Sequence, residues 1–401
     1  FVTSHALITF EFGAMRLTFF SAFGIMITGS SEGLNVAVLG SGIAGSTVAR
    51  KLADSGLKVT VFECGFGVGG RTSTRVTRDE HKFSFDHGAQ YIGQAKTKSF
   101  QSSLNEWETL GFVKKWEGRF ASVDAIEQPD IQQDPSAGCH YVGYPAMNSI
   151  CKNLLDHENI DVILQTRACC KFDESTQKWS LTPHGEDKCM GQFDWLVGSD
   201  RLSATNDRAD LRHAPLSDFK SLVEPIVSIP ILTLMIAFDS SLEIPFDGIR
   251  FEEGGSFGTL GWIARDTSKP GRDRTDGREC WVVQSGPQAA KELLESVKGA
   301  SFENTREIVR EKAKEILYSD FVSALPRLTK ENISIPKTSY IVGHRWSAAF
   351  PLLQNSQDGK VPCFDDRQNN FVACGDYFDK VGRIEGAFLS GVSASETILQ
   401  A

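Results

Sequence analysis

Three glycines and one carboxylate carry the first chemistry that can be read from this chain. Gly40, Gly42 and Gly45 follow Asn35-Val-Ala-Val-Leu39, a short run of strand type whose Val36, Val38 and Leu39 suit burial. Gly40 suits a tight turn, Gly42 lets backbone N–H groups approach a diphosphate, and Gly45 lets the following helix pack closely on the strand. That helix, about Ser46 to Ser55, puts Val48, Ala49 and Leu52 on one face, and its positive end would receive the phosphates. A second strand, Lys58-Val-Thr-Val-Phe-Glu63, ends about twenty residues beyond the turn on an acid that can accept both ribose hydroxyls. The expected cofactor contacts here are Gly40, Gly42, Ile43, Ala44, Gly45, Glu63 and Cys64. A carboxylate at the ribose repels a 2'-phosphate, so FAD or NAD suits this cradle better than NADP.

Gly69-Gly70-Arg71 favours FAD between these two. It would hold a permanently charged guanidinium against a diphosphate just after the ribose carboxylate, where a nicotinamide dehydrogenase has no evident use for it. This arrangement resembles that of flavin amine oxidases. Phe85-Asp86-His87-Gly88-Ala89-Gln90-Tyr91 closely resembles the Asp-His-Gly-Ala-Gln-Tyr signature of the renalase family, a branch of that superfamily. At the other end of the chain, Asn370-Phe-Val-Ala-Cys374 suggests a strand with Gly375-Asp376 at its end. Gly382-Arg383-Ile384-Glu385-Gly386-Ala387 then opens a helix, in the manner of a second flavin fingerprint. Such a helix can aim its amides at the flavin O2, where negative charge develops on reduction.

The resemblance spans nearly the whole chain from Asn35 and implies an α/β fold. A Rossmann-type FAD-binding domain would hold residues 34–94, 140–200 and 340–401, and a mixed-sheet α+β substrate domain inserted in it, in amine-oxidase-like topology, would hold 95–139 and 201–339. It implies noncovalent FAD, bound also by Gly70, Arg71, Gly88, Ala89, Gln90, Gly375, Asp376, Arg383, Ile384, Glu385, Gly386 and Ala387. It implies hydride transfer from a reduced or isomeric dihydronicotinamide to the flavin, with O2 as acceptor. Gln90, Tyr91 and His87 are the candidate pocket residues, although His87 fits a structural, backbone-bonded histidine as well. His344-Arg345-Trp346 resembles the family's His-Arg-Trp, but Ser347-Ala-Ala349 follows where relatives carry Arg-Tyr-Ala. Ser199-Asp200-Arg201 likewise departs from an apolar Ala-x-Pro turn. Two alternatives stay open: an amine oxidase, with Tyr91, Trp262 and Trp346 as an aromatic cage, and a non-catalytic flavin-binding redox sensor, favoured if the Ser199 to Asp210 segment spoils the pocket.

Composition fits a globular chain of 401 residues, with 41% hydrophobic and 23% charged residues. A net charge of -9 argues against a nucleic-acid groove binder. The nine cysteines are scattered, with no Cys-x-x-Cys pair, so they read as reduced and structural and no metal site is expected. There is no Gly-x-Ser-x-Gly elbow. The chain opens on Phe1, and residues 1–33 read as an extension of the fold, either extra upstream sequence or a targeting segment over Met15 to Ile27. That run is too short to span a membrane, so no integral span is expected; the cytoplasm is the default compartment unless the segment is a genuine signal. Glu127-Gln-Pro-Asp-Ile-Gln-Gln-Asp-Pro reads as part of an insertion, Trp262 to Gly271 as two strands joined by a Lys-Pro-Gly turn, and Glu303 to Phe321 as a helix burying Val309, Ala313, Ile316 and Leu317.

Overall fold

The structure, a computed structural model, describes residues 33–123, 131–133, 140–205, 209–211, 214–252, 257–297, 302–329, 331–353, 362–379 and 383–401. Met15 to Ile27 and, within the 127–135 stretch, residues 127–130 and 134–135 lie outside these residues.

Val36, Ala37 and Val38 are fully buried because the Asn35–Leu39 strand is central in a six-stranded sheet. It pairs in parallel with Lys58–Phe62 on one side and Trp195–Gly198 on the other. Ile160–Ile163 extends the sheet beyond Lys58–Phe62, while Phe371–Ala373 and the antiparallel edge Phe364–Asp366 extend the opposite side. Strands buried on both faces need near-continuous apolar runs, which Asn35–Leu39, Trp195–Gly198 and Phe371–Ala373 supply. The helix Ile43–Asp54 and the C-terminal helix Ile384–Leu399 pack together; a Cβ on Gly391 would lie 2.6 Å from the Ala44 carbonyl oxygen. A three-stranded antiparallel sheet, Ala168–Asp173, Lys178–Pro183 and Gly191–Phe193, is attached beside this layer.

The second domain is a seven-stranded mixed sheet in the order Thr338–Leu353, Ile226–Phe238, Glu279–Ser285, Leu260–Arg265, Gly248–Phe251, Phe120–Val123, Ile131–Gln133. The helix Phe302–Thr329 lies on it through Val309, Ala313, Leu317 and Phe321, so it runs eight residues past the expected end at Phe321. The fold class is therefore the one expected, but two domain borders move. Lys98–Thr109, assigned by sequence to the substrate domain, packs on the C-terminal helix instead, with Phe100 and Trp107 each 5.4 Å from the Phe388 ring. Thr97 caps that helix and donates from its hydroxyl to Glu385, which also accepts from the Lys96 and Thr97 amides. The return to the first domain, placed at 340, comes after Leu353, because Thr338–Leu353 pairs along Ile226–Phe238.

The Lys-Pro-Gly stretch does more than turn. Lys269 is fully buried, lies 3.3 Å from Asp86 and is ion-paired with Asp266; Arg272 reaches Asp86 at 2.5 Å. Asp86 also accepts from Thr74 Oγ1 at 2.6 Å and from the Met147 amide at 3.2 Å, and its own amide donates to Asp266 at 2.7 Å. Burial works against it, yet Lys269 and Arg272 hold the Asp86 carboxyl below the usual range; burial and the neighbouring Asp86 charge hold Asp266 above it. Two acids and two bases thus join the domains with their charges balanced. Lys269→Met would leave two buried carboxylates sharing one arginine. It is expected to cost about 3–5 kcal/mol, read as a fall in the urea midpoint. Glu311→Gln, which breaks an exposed pair with Lys314, should cost no more than about 1 kcal/mol.

Candidate functional site

A cavity of about 1130 Å³ opens along the C-terminal ends of Asn35–Leu39 and Lys58–Phe62 and continues toward the second sheet. That is where open α/β sheets bind ligands. At its first end Gly40 has φ +97°, and a Cβ on Gly45 would sit 2.1 Å from the Gly40 carbonyl oxygen, so strand and helix can meet only through glycine here. The Ile43–Asp54 helix starts at Gly42 with no side chain capping it and no acid in its first turn, which leaves its amides for an anion. Glu63, 6% exposed, lines the same end. Its Oε2 accepts from the Ser41 amide at 2.9 Å and the Ser41 hydroxyl at 2.6 Å, and its Oε1 from the Gly65 amide at 2.6 Å. An uncapped helix start, a bare glycine turn and an oriented carboxylate form a set that fits the adenosine diphosphate half of FAD.

Arg71 lines the middle of the cavity and forms a two-pronged ion pair with Asp376, at 2.5 and 2.6 Å, while donating to the Ala349 carbonyl at 3.1 Å. Despite burial, the Asp376 charge above all raises the pKa of its guanidinium, so Arg71 stays cationic. Gly88 packs on the Arg71 backbone, where a Cβ would lie 2.1 Å from the carbonyl oxygen, and the Ala89 amide donates to that same oxygen at 2.8 Å. The Gly88-Ala89 segment and, through Asp376, the C-terminal motif therefore converge on Arg71.

Of the residues expected from sequence, Gly40, Gly42, Glu63, Cys64, Gly70, Arg71 and His87 line the cavity. Ile43, Ala44 and Gly45 lie behind it in helix packing, and Gly375 and Asp376 lie behind Arg71. Arg383, Ile384, Gly386 and Ala387 form the start of the last helix, outside the lining, with Glu385 tied to Lys96 and Thr97. Gln90 and Tyr91 do not face this cavity either. The Gln90 amide group donates to the Asp86 and Gly88 carbonyls and accepts from Lys269 at 3.4 Å, so it belongs to the inter-domain charge cluster. Tyr91 packs on His140 and Trp262 and accepts from Arg250. Trp346 lines the cavity while Tyr91 and Trp262 do not, so the three aromatics make no common cage. Ser199, Asp200, Ser203 and Ala209 line the wall without closing it.

At the far end, His87 and His344-Arg345-Trp346 stand out in the sequence, but the gathering of arginines there does not. There Arg75, Arg306 and Arg310 lie near His344, and Arg345, Tyr340, Trp346 and His87 line the same cavity. Arg306 and Arg310 are one turn apart on the Phe302–Thr329 helix, a spacing that marks one face but nothing that says which face meets a cavity. Trp346 Nε1 donates to the His87 carbonyl at 2.8 Å, and the His87 and His344 rings meet edge to face at 5.0 Å. Burial first, then the Arg75 charge, pulls the His87 pKa down to about 4; burial, His87 and three arginines pull His344 down to about 3. Both rings are neutral at neutral pH.

Residues 38–107 match the family described as NAD(P)-binding Rossmann-like domain. Over 178 residues, 37% of the chain, it is 26% identical to the tRNA 5-methylaminomethyl-2-thiouridine biosynthesis bifunctional protein of Marinomonas, and the match spans about a quarter (26%) of that protein. Among solved structures, cyclohexylamine oxidase from Brevibacterium oxydans superposes with a TM-score of 0.64 at 13% identity, covering 92% of this chain and 99% of that one. Putrescine oxidase bound to putrescine gives 0.60 at 12% over the same shares. An oxidoreductase from Methanosarcina mazei gives 0.61 at 11%, over 90% and 100%. At such identities the likeness shows the fold: that of the amine-oxidase type, with a Rossmann-like domain. No helix among the described residues is long and apolar enough to cross a membrane.

A histidine that stays neutral in the folded protein takes no proton, while the unfolded chain does below about pH 6.5, so stability must fall as the pH drops from there toward about 4. The expected contribution of His87 is at most about 1.4 kcal/mol per pH unit. His87→Gln should flatten the acid limb of a melting-temperature profile, and an unchanged slope would show that His87 protonates in the folded state.

Proposed function

We propose that this chain is an FAD-dependent, renalase-like oxidoreductase that takes hydride from a reduced or isomeric dihydronicotinamide nucleotide and passes electrons to O2. The observation that carries this reading is the arginine group at the far end of the cavity. Arg310 lies 3.8 Å from Glu307 and donates to the Gly343 carbonyl, but among the described residues Arg75, Arg306 and Arg345 have no carboxylate partner. Their mutual repulsion favours an anionic guest, and guanidinium forks match phosphate oxygens. A dihydronicotinamide nucleotide brings such phosphates. A small amine brings a positive charge that these arginines repel, and it finds no aromatic cage.

FAD, held noncovalently, supplies hydride acceptance and the return of electrons to O2 when bound. Glu63 would hold its ribose, and the Gly42 amides with Arg71 its diphosphate. Trp346 fixes the His87 backbone, and the neutral His87 and His344 rings leave the substrate end without acidic protons at neutral pH. Arg75, Arg306 and Arg345 would orient the donor by its phosphates.

Purified protein should be yellow and release FAD on acid precipitation; a colourless preparation that cannot be reconstituted would end the flavin reading. Glu63→Gln should weaken FAD retention about ten- to a hundredfold, since a charge-assisted hydrogen bond is worth roughly 1.5–3 kcal/mol. On anaerobic mixing, isomeric dihydronicotinamide nucleotides should bleach the flavin and small amines should not. The double variant Arg306→Ala/Arg345→Ala should raise the half-saturating nucleotide concentration about tenfold or more while leaving the limiting bleaching rate nearly unchanged. Bleaching by amines alone would select the amine-oxidase reading, and bleaching by neither a redox sensor.

A further inference from the structure

We propose that Cys169, His184 and Asp210 form a zinc site outside the redox cavity. Cys169 lies in the strand Ala168–Asp173, and His184 directly follows its antiparallel neighbour Lys178–Pro183. Asp210 bridges in parallel to Cys169. Three backbone bonds hold these segments in place: the His184 amide to the Arg167 carbonyl at 2.8 Å, the Cys170 amide to the Asp210 carbonyl at 3.0 Å, and the Asp210 amide to the Ala168 carbonyl at 2.8 Å. The donor atoms converge on that frame. Cys169 Sγ is 3.5 Å from His184 Nδ1 and 3.7 Å from Asp210 Oδ2, and Nδ1 is 3.9 Å from Oδ2.

Those edges can be set against a coordination sphere. Tetrahedral zinc with bonds of about 2.0–2.3 Å separates its ligand atoms by about 3.3–3.6 Å. The two edges to sulfur match within about 0.2 Å, and the nitrogen–oxygen edge, at 3.9 Å, is about 0.6 Å too wide, which side-chain adjustment closes with no movement of the backbone frame. One sulfur, one imidazole nitrogen and one carboxylate oxygen suit zinc; magnesium and calcium want more ligands, all of them oxygen. Asp210 supplies the buried corner, and His184, with its side chain 43% exposed, the outer one, so a water can complete the fourth position from solvent. Binding converts the Cys169 thiol to a thiolate and releases its proton to water, with no redox change. Ala168 and Ala209, each preceding a ligand, line the nucleotide end of the cavity, so zinc would brace that wall. The 15- and 26-residue gaps between the ligands, a strand pair and a long connection, explain why no sequence motif announces the site.

Cobalt(II) titration of the purified, cofactor-loaded protein tests this. One equivalent should give tetrahedral d–d bands at wavelengths beyond the flavin absorption, abolished by one equivalent of zinc. Cys169→Ser should remove the thiolate signature, and His184→Ala should weaken zinc binding at least about tenfold. Zinc should raise the melting temperature of the native chain but not of Cys169→Ser, whose fold is checked by circular dichroism. Absence of the bands, or their survival in Cys169→Ser, would overturn the assignment.

Discussion

The buried carboxylate of Asp86 is the constraint on which the arrangement of the two domains depends. A charge taken fully out of water is tolerated only if it is neutralised and hydrogen-bonded. Asp86 meets that demand with groups from three places in the chain: Thr74 nearby, the Met147 amide before the Ser149–Leu155 helix, and Lys269 with Arg272 from the loop between two strands of the other sheet. Any sliding of one domain on the other would strand a buried charge. The residues that follow it, His87, Gly88 and Ala89, are therefore held against Arg71 and the cavity with little freedom. The same cluster explains why Gln90 is spent on structure: its carbonyl oxygen faces Lys269 and its amide group the backbone of the Asp86 turn.

A second pair does for the two ends of the chain what Asp86 does for the two domains. Arg71 and Asp376, far apart in sequence, share two hydrogen bonds beside the cavity. The resemblance implies a flavin-nucleotide contact for each of them, with Arg71 set against the diphosphate. The structure shows that they also satisfy each other. Because a guanidinium has five donors, Arg71 can keep Asp376 and the Ala349 carbonyl and still present N–H groups to an anion, so pairing and binding need not compete.

What was legible in the sequence was what local rules determine. The strand, glycine turn, helix and strand from Asn35 to Glu63 follow from periodicity and from the steric demand of Gly40 and Gly45, and the structure forms each of them. The two-domain α/β plan followed from that cradle together with the resemblance. Borders were less legible, because tertiary contacts set them. Lys98–Thr109 reads as an amphipathic helix wherever it packs, and only Phe388 and Glu385, almost three hundred residues away, say which domain it covers. The Lys-Pro-Gly turn has the composition of a surface loop, and nothing local says that Lys269 will be buried. Arg75, Arg306, Arg310 and Arg345 likewise come from three separate segments, and their convergence belongs to the topology alone.

That convergence adds to burial in keeping the histidines beside it neutral. Burial opposes a further positive charge on His344 most strongly, and the guanidiniums of Arg75, Arg310 and Arg306 add to it. The arginines named there disfavour positive charge on a guest and favour negative charge. An anion seated among Arg75, Arg306 and Arg345 would relieve their repulsion and ease the protonation of His344 together, coupling binding at that end to the proton affinity of a ring in the same pocket. A preference for an anionic guest would follow from the same arginine charges that, after burial, depress the histidines, and those charges are set by where the Phe302–Thr329 helix and the Thr338–Leu353 strand meet the cavity.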